Sequence, residues 1–286
     1  MALLSKLCCF LLFLSLALAY DLSERRLLNG ELGVELDYDF ARFRPEGRED
    51  DNSVSYKSRN WVYSSHLTFK DDVSSITDGQ LRSIARNAFD EMKQVMVKYG
   101  LTVDGAPTTA APAQTPQVMA ILAFGKEIIL SSSQRGRDTF VVRWAHSPVR
   151  RAIERCQASF RQAQPGLSDR HKNGASCGEV MVTEFYYHVY PDTDPTNIPL
   201  FARDARILAI EPTKDRKGYQ DKPPCPGNND EDGTPVTNFW GCREFVADFR
   251  LRVVPKDDPM PYGNINDLAG GLVSKDQVPL QCIVRP

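Results

Sequence analysis

Cys177-Gly178-Glu179 opens the run ASCGEVMVTEFYYHVY (175–190), whose apolar residues recur along one face at helical spacing. A cysteine at a helix N-terminus faces free amides and the positive end of the helix dipole, and both favour its thiolate. A carboxylate two residues on, Glu179, would project beside any metal held by that thiolate without having to bind it. Two more cysteines lie in PPCPGNNDEDGTPVTNFWGCREFVADF (223–249), Cys225 behind a Pro-Pro and Cys242 where an apolar pattern restarts. Three sulfur ligands would leave one open position, the arrangement of catalytic zinc, whereas structural zinc is normally closed by four. The pair Cys225 and Cys242 also reads as a disulfide closing a surface loop.

The compartment bears on that choice. Lys6 precedes a run of Leu, Phe, Cys and Ala that ends in Ala17-Leu18-Ala19. The run is short for a membrane span and ends at a small-x-small cleavage pattern, so residues 1–19 read as a signal peptide. The mature chain, expected to be secreted, then starts near Tyr20 and has about 267 residues. Cys8 and Cys9 leave with the leader, and Cys156, Cys177, Cys225, Cys242 and Cys282 remain. An odd count in an oxidising compartment fits two disulfides and a stray thiol, or one disulfide and three thiolates on a metal. The formal net charge of −2 gives no global field drawing the chain to nucleic acid or anionic lipid. The arginines between Arg135 and Arg161 read as a solvated helix face. No Asn-x-Ser/Thr sequon and no second long apolar segment occur, so neither N-glycosylation nor a membrane span is expected.

These residues need elements to position them. Residues 20–75 read as a polar N-terminal extension, with 20–60 a propeptide, an arm or a strap over the main domain. From Ile76 the pattern sharpens into a domain running to 286. Leu81, Ile84, Ala85, Ala88, Phe89, Met92, Val95 and Met96 fall at helical spacing, with Thr77 or Asp78 as N-cap and Gly100 past the end. VMAILAF (118–124) and EIILSSS (127–133), separated by Gly125-Lys126, read as a hairpin. TFVVRWA (139–145) leads into a helix near 148–163, ARILAI (205–210) is a short buried strand, and REFVADFRLRVV (243–254) starts helical and ends extended. The order helix, hairpin, helix, helix, strand, loop, helix is that of an α/β sandwich.

That order, with Cys177-Gly178-Glu179, Pro224-Cys225 and Gly241-Cys242, resembles the cytidine deaminase-like superfamily over about residues 76–255. Its members have a hairpin, a helix opening with His/Cys-x-Glu, a strand, and a helix opening with Pro-Cys-x-x-Cys. Cys242-Arg243-Glu244-Phe245-Val246 is also similar to the Cys-Arg-Gln-hydrophobic run of nucleoside deaminases. The resemblance implies a three-layer α/β/α sandwich with a mixed central sheet. It implies zinc on Cys177, Cys225 and Cys242, Glu179 as proton shuttle, and Cys156 and Cys282 left to pair as a disulfide. The substrate would be a base, a nucleoside or a nucleic acid, and a secreted member would act as a toxin or effector. One departure stands out: sixteen residues separate Cys225 from Cys242, where the family has two. A loop with its ends close together accommodates them, and Gly227, Asn228, Asn229, Gly233 and Pro235 are suitable turn formers.

The competing reading is a non-enzymatic secreted binding protein of the same fold, stapled by two disulfides. Other residues take ordinary roles: His171 a solvent-facing loop residue, His188 a partly buried one and Glu184 a solvated one. Phe239 and Trp240 anchor the inserted loop. No Gly-x-Ser-x-Gly elbow supports a serine hydrolase.

Overall fold

The computed structural model describes residues 20–42, 59–103, 106–107, 115–140, 147–163, 165–166, 170–191, 205–225 and 240–280. In chain order the elements are β1 (Glu35–Leu36), α1 (Tyr38–Arg42), β2 (Asn60–Trp61), β3 (Tyr63–Phe69) and α2 (Asp78–Lys98). Then come β4 (Thr102–Val103), β5 (Ala106–Pro107), β6 (Met119–Phe124), β7 (Glu127–Ser132), β8 (Arg135–Gly136), α3 (Pro148–Ala163) and α4 (Gly178–Val189). The last are β9 (Arg206–Pro212), β10 (Tyr219–Asp221), α5 (Cys242–Asp248), β11 (Arg252–Val253) and β12 (Leu272–Asp276).

Local chemistry accounts for the two best-defined elements. Thr77 caps α2 by accepting from the Gln80 N–H while the Gln80 side chain accepts from the Thr77 N–H, satisfying two amides that the first turn would leave unpaired. The β6–β7 hairpin turns in two residues, with Gly125 at a φ of +49° that side chains rarely adopt. The main sheet runs β1-β3-β7-β6-β9-β10, with β12 also on β3 and β11 also on β9. All its pairings are antiparallel except β9 with β11. The protein is thus mixed α/β with a mostly antiparallel sheet.

Strand alternation separates two cores. Met119, Ile121 and Ala123 of β6 join Leu81, Ile84, Phe89 and Met92 of α2 in one apolar cluster. Ala120 and Leu122 join Val180, Met181 and Phe185 of α4, Ile153 of α3 and Phe245 of α5 in the other. Each such large side chain, fully buried, stabilises the fold by about 1.5–3 kcal/mol, so both faces of the sheet are well anchored. The cysteines belong to the second cluster.

The N-terminal segment departs from expectation. Residues 59–69 are not in an extension outside the domain: β3 lies inside the sheet, between β7 on one side and β1 with β12 on the other. Leu22, Leu32, Val34 and Leu36 are buried in the same core as α2. Residues 20–42 are therefore a strap packed into the fold. The leader 1–19, residues 141–146 of the TFVVRWA stretch and the loop 226–239 lie outside the described residues. Among the described residues no helix is long and apolar enough to cross a membrane.

Candidate metal centre and its cavity

Close packing of α4 on β6 sets the position of the first cysteine. A Cβ on Gly178 would come within 2.8 Å of the Ala120 Cβ, so only glycine lets the helix start so near the strand. Cys177 is the N-cap, with its carbonyl accepting from the Met181 N–H at 3.1 Å. Ahead of it the chain turns tightly through Gly174 (φ +55°) and Ala175 (φ +59°), closed by Gly174 N–H to His171 O at 3.1 Å and Ser176 N–H to Asn173 O at 3.1 Å. Ala175 is a non-glycine residue in the left-handed region, a local strain that the surrounding packing must hold.

The other two cysteines come from either end of the inserted loop. The Cys242 N–H donates to Cys225 Sγ at 3.1 Å and the Arg243 N–H to Cys225 O at 3.3 Å. A Cβ on Gly241 would lie 2.2 Å from Cys225 O, so this approach also demands glycine. Trp240, fully buried, is held by a hydrogen bond from the Lys172 N–H at 2.9 Å and meets the His171 ring edge-on at 4.7 Å. Sixteen intervening residues thus do not keep Cys225 and Cys242 apart.

His171, Cys177, Cys225 and Cys242 converge, with ligand atoms all within 4.8 Å of one another. Cys177 Sγ and Cys225 Sγ are 3.8 Å apart, and His171 Nε2 is 3.5 Å from Cys242 Sγ. Two sulfurs each about 2.3 Å from one tetrahedral zinc would be separated by roughly 3.8 Å, so the donor set fits that ion in type and spacing. The three thiols differ in acidity. Hydrogen bonds from Cys177 and Cys242 draw Cys225 well below the usual thiol range. Its hydrogen bond to Cys225 pushes Cys177 up, and burial pushes Cys242 up. This His/Cys3 group could hold a metal ion, and its chemistry fits zinc.

Glu179 is 4% exposed, and burial lifts its carboxyl to about 7. With Cys225 and Asn173 it lines a cavity of about 740 Å³, whose lining also includes Lys172, Lys222, Lys256, Ile207, Val253 and Pro224. Lys222 is paired with Glu211 at 2.9 Å. The carboxyl and one thiol therefore line the same cavity.

Several expectations are corrected. His171 is not solvent-facing: it is 7% exposed and sits inside the cluster. No sequence spacing pointed to it, although Asn173-Gly174 just before Cys177 marks the turn that brings it back. Cys156 is a free, buried thiol, raised to about 12 by burial, and Cys282 lies outside the described residues. Neither the expected Cys156–Cys282 disulfide nor a Cys225–Cys242 staple is found, since Cys156, Cys177, Cys225 and Cys242 are all free. Glu184 is buried, accepting from Ser147 Oγ and lying 3.3 Å from His188 Nε2, and His188 is half-buried as anticipated. Ser147 meets the carboxylate and not the imidazole, so the three do not form a nucleophile–base relay. Trp240 anchors its end of the loop, while Phe239 lies outside the described residues.

The chain matches no protein-family model, no curated protein and no solved structure.

Proposed function

We propose that this is a secreted zinc-dependent deaminase-like hydrolase of three-layer α/β/α type, acting on a base, nucleoside or nucleic acid as a toxin or effector. The observation that carries the reading is the buried Glu179 lining the same cavity as Cys225, two residues from Cys177. Element order supports it as well: a hairpin, a helix opening at Cys177, the strand β9 and a helix opening at Cys242 come in the sequence that the resemblance to the cytidine deaminase-like superfamily implies, with β8 and α3 inserted after the hairpin and β10 after β9.

Cys177, Cys225 and Cys242 would hold the ion, which when bound lowers the pKa of a water toward neutrality. Glu179 would carry a proton from a water to the ring nitrogen beside the amine-bearing carbon. Net hydrolysis would add the water oxygen to that carbon as the C–N bond breaks, ammonia leaving with the second proton and a carbonyl forming. Ile207, Val253 and Pro224 give the cavity apolar surface, and Asn173 fixes Cys177 through an Nδ2–H donated to Sγ at 3.4 Å.

A second reading has its own support. If His171 closes the site as a fourth ligand, the metal is structural and the chain is a non-enzymatic secreted binding protein. Ammonia release from cytosine, adenine and their nucleosides, compared between wild type and Glu179→Gln, separates the two. Turnover lost in the variant supports the hydrolase; no turnover on any base, nucleoside or single strand, from a zinc-loaded chain, supports the binder.

A further inference from the structure

An imidazole that binds a metal through Nε2 carries its remaining proton on Nδ1 and donates it to a carbonyl, carboxylate or water. The surroundings of His171 Nδ1 are the reverse. Two backbone N–H groups point at it, from Asn173 at 3.2 Å and Ala175 at 3.1 Å. Backbone amides cannot rotate to become acceptors, and the left-handed pair Gly174 and Ala175 fixes their direction. Nδ1 is therefore the lone-pair nitrogen, and the ring proton resides on Nε2, 3.5 Å from Cys242 Sγ. Turning the ring over would set carbon against both amides and disturb the edge contact with Trp240.

The other two sulfurs show the same pattern. Cys177 Sγ accepts from Asn173 Nδ2 at 3.4 Å, and Cys225 Sγ from the Cys242 N–H at 3.1 Å. Three thiolates around a divalent cation leave one excess negative charge, and one N–H donor to each sulfur offsets it. Cys225, Glu179 and Asn173 line the cavity, while His171, Cys177 and Cys242 lie behind that lining set.

Resting on the metal-centre reading above, we infer that His171 is a positioning residue and not a fourth ligand. Its Nε2–H holds the Cys242 thiolate, and the fourth coordination position is left open toward the Glu179 side of the cavity. The experiment is zinc-edge X-ray absorption on the zinc-loaded full chain, wild type and His171→Gln, with ¹⁵N-histidine NMR of the wild type. The expected result is three sulfurs and one oxygen without imidazole scattering, and a protonated Nε2 on His171. His171→Gln, whose side-chain amide still offers an N–H, should keep one zinc and the same spectrum. His171→Ala should release zinc about 10–100-fold faster with all three sulfurs still bound. Imidazole scattering in the wild type that disappears in His171→Gln overturns the inference and leaves the metal centre standing. A wild-type chain that binds no zinc overturns both.

Discussion

Two regions of the molecule bury carboxylates, and they do so differently. Where the strap meets the domain, Asp37 accepts from the Phe40 N–H at 3.0 Å and from the Leu280 N–H at 2.5 Å, joining N-terminal and C-terminal segments. Glu91 on α2 accepts from the Leu32 N–H at 2.7 Å and the Val34 N–H at 3.0 Å, fastening the strap to the helix. At the thiol cluster Glu179 lines an open cavity beside Cys225. Burial raises all three carboxyls, Asp37 to about 6 and Glu179 to about 7. A raised pKa therefore does not distinguish a working acid from a structural one. What each carboxylate faces does: backbone amides in the first region, a cavity in the second.

The comparison can be broken most forcefully at Glu179. Glu179→Gln should reduce ammonia release by about 10²- to 10⁴-fold while zinc content and the urea midpoint stay near wild type. Should the variant instead lose stability and keep turnover, the two regions would be alike and the distinction would fall. Glu91→Ala should do the opposite. Orphaning two buried N–H groups costs about 2–4 kcal/mol in urea unfolding and exposes the strap to proteolysis, with zinc retained.

Asp37 sharpens the contrast through pH. Its folded-state pKa of about 6 lies above the ordinary 3.8, so folding favours the protonated form. Its contribution is largest below about pH 4 and is lost as pH rises toward 6, by up to about 3 kcal/mol. Asp37→Asn should flatten that part of a stability profile measured between pH 4 and 7. A profile equally steep in the variant would assign the slope to Glu35 and Glu91, both also raised by burial. The smallest effect is expected at Cys156, which packs among apolar residues away from the cluster. Cys156→Ala should cost about 1 kcal/mol and leave zinc stoichiometry unchanged, and loss of zinc would show that the ligand set is drawn too narrowly.

Regular periodicity made much of the fold legible. The stripe from Leu81 to Met96, the hairpin around Gly125-Lys126, and the helices over α3 and α4 are where their spacing placed them. The strap was not, because Leu22, Leu32, Val34 and Leu36 are dispersed among charged residues and become core only through the hydrogen bonds of Glu91 and Asp37. β3 hid for a related reason: Ser64, Ser65 and His66 blur an alternation whose inner members are Tyr63, Leu67 and Phe69. At the site, Cys177, Cys225, Cys242 and Glu179 were readable because thiols and a carboxylate near helix starts are unusual. His171 escaped because the turn through Gly174 and Ala175 that returns it to the cluster is a tertiary feature, with no period to announce it.

The most direct test of the central claim, that the three thiols form one metal site, is the zinc content of the purified full chain by elemental analysis beside a Cys225→Ser variant. About one zinc per wild-type chain, largely lost in the variant, is expected, with three thiols becoming reactive only after chelation. A zinc-free wild-type chain with Cys225 in a disulfide-linked peptide would contradict it.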